Sequence, residues 1–253
     1  MVFQKYAQYY DLLYQNKDYK TEAKYVVSLI QKFHPKAQKI LEFGSGTGVH
    51  GRIFSDLGYT VCGIEKSLEM IEFGKQNSYL SDAKRQFKCV YGDCTKTFIN
   101  NDFDTVVSLF HVLNYQITDE KVDAMFRNAH RQISKGGIFI FDFWFAPAVW
   151  YQRPKPRIKK VENEKFRITR IAEPVCHEEE NLVNVNYLTY IENLSDKTIS
   201  KIEESHKLRA FGLNEINKFS RSAGFEVLTS EEWMTRTNPS KETWGVCSVL
   251  RKV

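Results

Sequence analysis

The sequence predicts an α/β fold, an open parallel sheet covered by helices on both faces and interrupted late by an antiparallel β insertion. Three observations carry that prediction. Short apolar runs without alternation recur between amphipathic segments, as expected for strands buried on both faces. A glycine-rich stretch, Glu42-Phe-Gly-Ser-Gly-Thr-Gly48, stands at a strand-to-helix junction. From about Lys160 to Phe211 the rhythm breaks into β-rich runs separated by short polar turns.

The elements follow in order. The first segment reads as a helical cap. Tyr25, Val26, Leu29, Ile30 and Phe33 recur at helix spacing, and Pro35 ends the pattern. Lys39 to Phe43 is a buried strand, Val49 to Leu57 a helix closed by Gly58, and Tyr59 to Ile64 a second strand. A helix from Ser67 to about Asn77 has Ser67 as N-cap and Glu69 in its first turn. Strands at Phe87–Tyr91 and Phe103–Phe110 precede a helix over Asp119–Ile133. Lys135-Gly-Gly137 reads as a turn before a strand at Ile138–Phe143. The insertion, residues 160–210, holds strands at Phe166–Ile171, Leu182–Ile191 and Thr198–Arg209. Residues 1–159 and 211–253 form the core, which resumes with a helix over Asn214–Ala223 and strands at Phe225–Trp233 and Trp244–Leu250. Strands separated by helices imply right-handed parallel crossovers.

Composition narrows the function. The 253 residues carry 36 Lys+Arg against 31 Asp+Glu, a net charge of +5. That is too mild and too dispersed for a nucleic-acid surface, and the densest basic run, Arg153 to Lys160, reads as a solvated loop. No run reaches the ~20 apolar residues of a membrane helix. The N-terminal stretch lacks a signal-peptide pattern. Five scattered cysteines form no CxxC pair, so no metal site is expected and a reducing cytoplasm is the simplest setting. Aromatic residues reach 14%, enough for some to line a pocket.

The glycine loop turns tightly and exposes the first N–H groups of the next helix, a seat for a phosphate or a carboxylate. Gly46-Thr-Gly-Val-His-Gly51 also satisfies the dinucleotide fingerprint GxGxxG. Three acids argue for another ligand. Glu42, just before the loop, suits a cationic group and would repel a pyrophosphate. Glu65, about twenty residues on at the second strand end, suits two ribose hydroxyls. Asp93, in Tyr91-Gly-Asp-Cys94, suits an adenine amino group. An ammonium, a ribose and an adenine without a phosphate describe S-adenosyl-L-methionine.

The pattern resembles the class I S-adenosylmethionine-dependent methyltransferases over almost the whole chain. The resemblance implies a Rossmann-like sheet of seven strands with the last antiparallel. It implies cofactor contacts from Tyr14, Tyr19, Glu42, Gly44, Gly46 and Gly48, and from Glu65, Lys66, Met70, Asp93, Cys94 and Phe110. The loop Ser108-Leu-Phe-His-Val-Leu-Asn-Tyr115 has no Asn/Asp-Pro-Pro-Tyr/Phe motif of the base and glutamine methyltransferases. Tyr10-Asp-Leu-Leu-Tyr14, Lys17-Asp-Tyr-Lys20, the Gly46–His50 loop, Trp144-Phe-Ala-Pro147 and Glu203–Phe211 are similar to segments of the bacterial N-methyltransferases of dTDP-linked amino sugars. In that family the insertion lies near the active site and helps form a homodimer. The chain departs where the family often has His-Leu and this sequence has Tyr115-Gln116, and where a Ser/Thr is replaced by Gly212.

Candidate bases for an amine acceptor are Tyr14, His111, Tyr115 and His206. Trp144, Phe145, Trp150 and Tyr151 are candidates for an apolar wall beside the sugar. Arg153, Lys155 and Arg157 are candidates for a diphosphate, and Arg209 for a further substrate contact. Three alternatives stay open: O- or C-methylation of another sugar or metabolite, NAD-dependent oxidation, and a non-catalytic cofactor-binding domain.

Overall fold

The computed structural model describes residues 7–76, 87–99 and 102–253. Five short apolar segments form a parallel set: β1 (Lys39–Phe43), β2 (Thr60–Glu65), β3 (Lys88–Tyr91), β4 (Phe103–Ser108) and β5 (Ile133–Trp144). With β10 (Phe225–Glu232) and β11 (Gly245–Lys252) they make a seven-stranded sheet in the order β10-β11-β5-β4-β1-β2-β3. Strand β11 runs antiparallel to both neighbours, as the class I pattern requires. The chain reverses between β1 and β4, so the carboxyl ends of those strands diverge and leave a crevice.

Helices cover both faces because alternate strand residues point oppositely. Phe139, Phe141 and Phe143 of β5 pack with Val122, Met125 and Phe126 of α5 (Asp119–Gln132) and Ile216 and Phe219 of α7 (Leu213–Ser222). Ile138 and Ile140 face the other way, toward Val26, Leu29 and Ile30 of α2 (Tyr19–Phe33) and Phe54 of α3 (Val49–Asp56). The Asp104 carboxylate of β4 accepts the N–H groups of Gln38 and Lys39 at 2.7 and 2.8 Å, tying the entry to β1 to its neighbour. Ser67 caps α4 (Leu68–Gln76) through the Met70 N–H at 3.2 Å. Asn77, the expected end of that helix, lies outside the described residues.

The insertion differs from expectation in two ways. It has four strands rather than three, in the order β6-β7-β8-β9: β6 (Arg157–Glu162), β7 (Phe166–His177), β8 (Leu182–Asn193) and β9 (Ile199–Arg209). The basic run read as a solvated loop supplies β6, because Ile158 and Val161 interrupt the charges and pairing with β7 satisfies the backbone. Strand β7 also continues through Pro174. Its pairing with β6 ends at Ala172, so at Pro174 one side of the strand is an edge that needs no donor.

One further local expectation is corrected. Lys135-Gly-Gly137 is not a turn before β5 but an irregularity inside it. Pairing jumps from Phe103↔Ile133 to Thr105↔Ile138, and Gly136 takes φ +79° to absorb the extra residues. The segment after Phe145 is a helix, α6 (Ala146–Gln152), started by a proline in its first turn.

Helix α1 (Ala7–Leu13) joins the two sheets. Tyr9 and Leu13 pack on Val161, Ile168, Ile191 and Ile202 of the second sheet. Asp11 accepts a 2.8 Å hydrogen bond from the Thr47 hydroxyl in the glycine loop. The centre of the core is the Phe126, Phe139 and Phe141 cluster, with ring centroids 4.7 to 5.6 Å apart. Replacing Phe126 by Ala is expected to cost about 3–5 kcal/mol in urea unfolding, through lost burial and an unfilled cavity.

Candidate active site

The carboxyl ends of β1, β2, β4 and β5 open into a cavity of about 670 Å³, roofed by α1 and by the second sheet. One end is built from the first strand-loop junctions. Gly44 and Ser45 donate their N–H groups to the Ile64 carbonyl at 2.8 and 3.2 Å, which folds the glycine loop back over β2. Gly44, Gly46 and Gly48 take φ of +66°, +56° and +80°, a region costly for other residues. A Cβ placed on Gly46 meets no atom within 4 Å, so that stretch of loop is bare backbone at the cavity wall.

Three carboxylates at this end have different environments. Glu42 is 2% exposed, and its Oε2 has no hydrogen-bond partner. Burial, with a smaller push from the charge of Glu65, raises its pKa to about 8 against the pull of Arg52. Glu65 accepts from the N–H of Gly46 at 2.7 Å and from those of Lys66 and Ser67 at 2.8 Å. Burial still pushes its pKa up, because those three N–H groups offset the desolvation only in part. Asp93 accepts from the Thr95 N–H and hydroxyl at 2.9 and 2.7 Å and pairs with Lys66 at 2.9 Å. Burial raises its pKa, but the Lys66 and Thr95 bonds outweigh burial and hold it at about 2.

The other end is aromatic and carries imidazoles. Phe110 and His111, both at positive φ, form a sharp corner after β4. The His111 N–H donates to Asp142 Oδ1 at 3.0 Å, and its Nδ1 lies 2.9 Å from Asp142 Oδ2. That second contact departs from hydrogen-bond angles, so it acts through charge more than direction. Burial raises the Asp142 pKa, and His111 more than offsets this, leaving it below the usual carboxylate value. Tyr115 Oη is 2.8 Å from His206 Nδ1, and His206 Nε2 is 3.0 Å from Glu204 Oε2. Tyr14 accepts a 3.1 Å hydrogen bond from Arg170 and meets Phe110 edge-on at 5.1 Å.

The structure brings together most of the residues singled out from the sequence. Tyr14, Tyr19, Glu42, Gly44, Gly46, Glu65, Lys66, Met70, Asp93, Cys94 and Phe110 line the cavity, as do His111, Tyr115, Trp144 and His206. Gly48 does not; it is the N-cap of α3, and a Cβ there would strike the Phe87 ring at 2.4 Å. The expected sugar wall is also corrected. Phe145 is 7% exposed and belongs to the core, because the chain turns inward to start α6. Trp150 donates to Asn181 at 2.9 Å, Tyr151 is 59% exposed beside Lys241, and Arg153 pairs with Glu178. Arg209 pairs with Asp119 and Glu215, bracing β9 against α5 and α7. All four lie outside the cavity wall. Tyr187, Leu208, Trp244 and Gln116 line it instead, and Asp142 and Glu204 stand behind it. Their proximity depends on strand register, which one-dimensional spacing does not display.

The residues present fit S-adenosylmethionine. The unpartnered Glu42 oxygen in a buried wall offers an acceptor to a donor group such as an ammonium, the bare Gly46 backbone admits close approach, and Glu65 and Asp93 stand at the next two strand ends. The fold is that of the class I S-adenosylmethionine-dependent methyltransferases. Residues 40–137 match the family model for a methyltransferase domain, so the chain carries that domain on this fold. A curated relative from Streptomyces fradiae, a dTDP-3-amino-3,6-dideoxy-alpha-D-glucopyranose N,N-dimethyltransferase, is 26% identical over 87% of this chain and 84% of its own. The crystal structure of an S-adenosylmethionine-dependent methyltransferase from Clostridium acetobutylicum superposes with a TM-score of 0.83 at 18% identity, covering 98% of each chain. SAM-bound CalS10, an amino pentose methyltransferase from Micromonospora echinaspora, gives a TM-score of 0.76 at 20% identity over 100% of this chain and 98% of its own.

The raised Glu42 pKa sets a pH signature. Protonated Glu42 must ionise to meet a cation, so cofactor binding should release protons, and affinity should rise with pH until it levels off near 8. Calorimetry in buffers of different ionisation enthalpy should detect this release in wild type and not in Glu42→Gln. In the free protein the folded-state pKa lies above the unfolded one, so the stability linked to this group is full at low pH. It is lost as pH rises through about 8. Thermal unfolding should therefore show Glu42→Gln gaining on wild type between pH 5 and pH 9.

Proposed function

We propose that this protein transfers a methyl group from S-adenosylmethionine to the amino group of a nucleotide-linked, dTDP-type amino sugar. The observation that carries the reading is the make-up of the far end of the cavity. Trp144, Trp244, Tyr187 and Leu208 offer an apolar and aromatic surface for a sugar ring. Proton-accepting side chains stand in the same wall. Arg157 reaches the rim, on the same face of β6 as Lys159, which pairs directly across from Arg170. Burial and the charge of Arg170 lower the Lys159 pKa, as expected for cations crowded together. A row of three cations suits a diphosphate. The near-full-length similarity to a dTDP-amino-sugar N,N-dimethyltransferase supports the same acceptor class.

When bound, the cofactor supplies a methyl group already activated on a sulfonium. The chain's work is to position, desolvate and deprotonate. Glu42 would hold the ammonium, Glu65 the ribose hydroxyls and Asp93 the adenine edge. Tyr14, just after α1 and beside Phe110, would cover the methionyl end. The aromatic wall holds the amine on the line of attack while excluding water. We further infer that the protein works in the cytoplasm and as a homodimer.

Incubation with the cofactor and a dTDP-linked amino sugar should give mono- and dimethylated products by mass spectrometry. Recovery of product only from hydroxyl acceptors would refute N-methylation. Arg157→Ala combined with Lys159→Ala should raise KM for the nucleotide sugar at least tenfold, leave kcat nearly unchanged, and leave turnover of the free amino sugar unaffected. Sedimentation velocity tests the dimer.

A further inference from the structure

The His111 imidazole is held from behind at two points and keeps one ring nitrogen for the cavity. Its backbone sits at the corner after β4 with φ +66°, a region costly for a residue with a Cβ. Asp142 of β5 holds that corner in place. One carboxylate oxygen accepts the His111 N–H at 3.0 Å, and the other lies 2.9 Å from Nδ1. The His111 carbonyl accepts the Asn114 N–H at 3.0 Å, which fixes the turn that follows. Asp142 is 3% exposed. Burial raises its pKa, but the charge and contacts of His111 outweigh burial, so the carboxylate stays ionised.

The state of the ring follows from that neighbour. A lone pair on Nδ1 would face a buried anion at 2.9 Å and be repelled, whereas a proton there is attracted. The neutral ring therefore carries its proton on Nδ1 and its lone pair on Nε2. Nδ1 is buried, yet the side chain is 27% exposed and lines the cavity, so the open edge of the ring is the one with Nε2. Among the described residues no hydrogen bond occupies Nε2. The ring also stands where the two ends of the cavity meet. Phe110, which touches Tyr14 edge-on, is 5.7 Å away, and Trp144 of the aromatic wall is 6.0 Å away. His206 and His50 line the cavity as well, but His206 has both ring nitrogens engaged. His50 is 6% exposed, with Nε2 3.0 Å from Glu22.

We propose that His111, oriented by Asp142, takes the proton from the substrate atom that becomes methylated. On the amino-sugar reading above, on which this rests, that atom is the amine. An N–H bond of the bound ammonium breaks, and its proton joins Nε2. The electron pair stays on the nitrogen and is released for attack, while Asp142 balances the imidazolium. The proton passes to solvent as product leaves. His111 is the catalytic residue; Asp142 is a positioning residue, because it acts through the ring and does not touch the substrate.

The test combines kinetics with a measurement that needs no substrate. Asparagine and glycine both tolerate a positive φ, so His111→Asn and His111→Gly keep the corner. His111→Asn should lower kcat for the dTDP-amino sugar about 100-fold, with cofactor affinity by calorimetry unchanged. In His111→Gly, added imidazole should raise kcat about tenfold, whereas pyrrole, of the same shape without a basic nitrogen, should not. By 15N NMR the neutral His111 ring should be the Nδ1–H tautomer in wild type. In Asp142→Asn, whose amide can donate to Nδ1, it should switch to the Nε2–H tautomer, and kcat should fall about tenfold. An Nε2–H tautomer in wild type overturns the proposal, whether or not a variant folds. So does a His111→Asn rate within about threefold of wild type, or rescue by pyrrole equal to that by imidazole. If wild type methylates only hydroxyl acceptors and imidazole rescue holds for them, the amino-sugar reading fails and the role of His111 stands. If wild type methylates the amino sugar and any overturning result appears, the role fails and the reading stands. Circular dichroism melting separates unfolding from loss of the base.

Discussion

The Glu65 carboxylate is the clamp on which the site depends. It receives N–H groups from both sides of the crevice, Gly46 from the glycine loop and Lys66 and Ser67 from the start of the next helix. A buried anion needs such donors to offset lost hydration, and left-handed loop glycines need fixed partners to hold a single shape. One side chain meets both demands. It fixes how far the β1–α3 loop stands from β2, and so sets the width of the cofactor end of the cavity.

A second constraint is the docking of the two sheets. Among the described residues no continuous ladder joins them; an isolated bridge links Phe145 to Phe211, where the chain leaves and re-enters the main sheet. The second sheet is held over the crevice by α1, whose apolar face packs on that sheet while Asp11 binds the glycine loop. The cavity is therefore shared. The end with the glycine loop belongs to the parallel sheet, and the aromatic end is completed by Tyr187, His206 and Leu208 from the antiparallel one.

Most of the parallel sheet was legible in the sequence, because period and punctuation are local signals. The strands at Lys39, Thr60 and Phe103 and the helices over α2, α5 and α7 lie within a few residues of expectation. The failures have physical causes. Strand β6 was hidden by its charges, since a two-faced ribbon tolerates lysines on its open side. The Gly136 irregularity mimicked a turn because both need a positive φ. Trp150, Tyr151 and Arg153 drew attention as large side chains beside a strand exit, but α6 turns them away from the cavity.

The sequence alone displayed the residues at one end of the cavity: a glycine loop with acids at three consecutive strand ends, each a few residues from a recognisable element. Strand ends in a parallel sheet necessarily converge on one edge, so their order in the chain predicts their proximity. Only the tertiary structure decided the aromatic end of the cavity. Asp142 beside His111, and Glu204 behind His206 and Tyr115, meet across separations of 31 and 91 residues or through a register that puts Glu204 opposite Tyr187. Such pairings arise from sheet docking and strand register. Both are set by packing of the whole core, so no local pattern announces them.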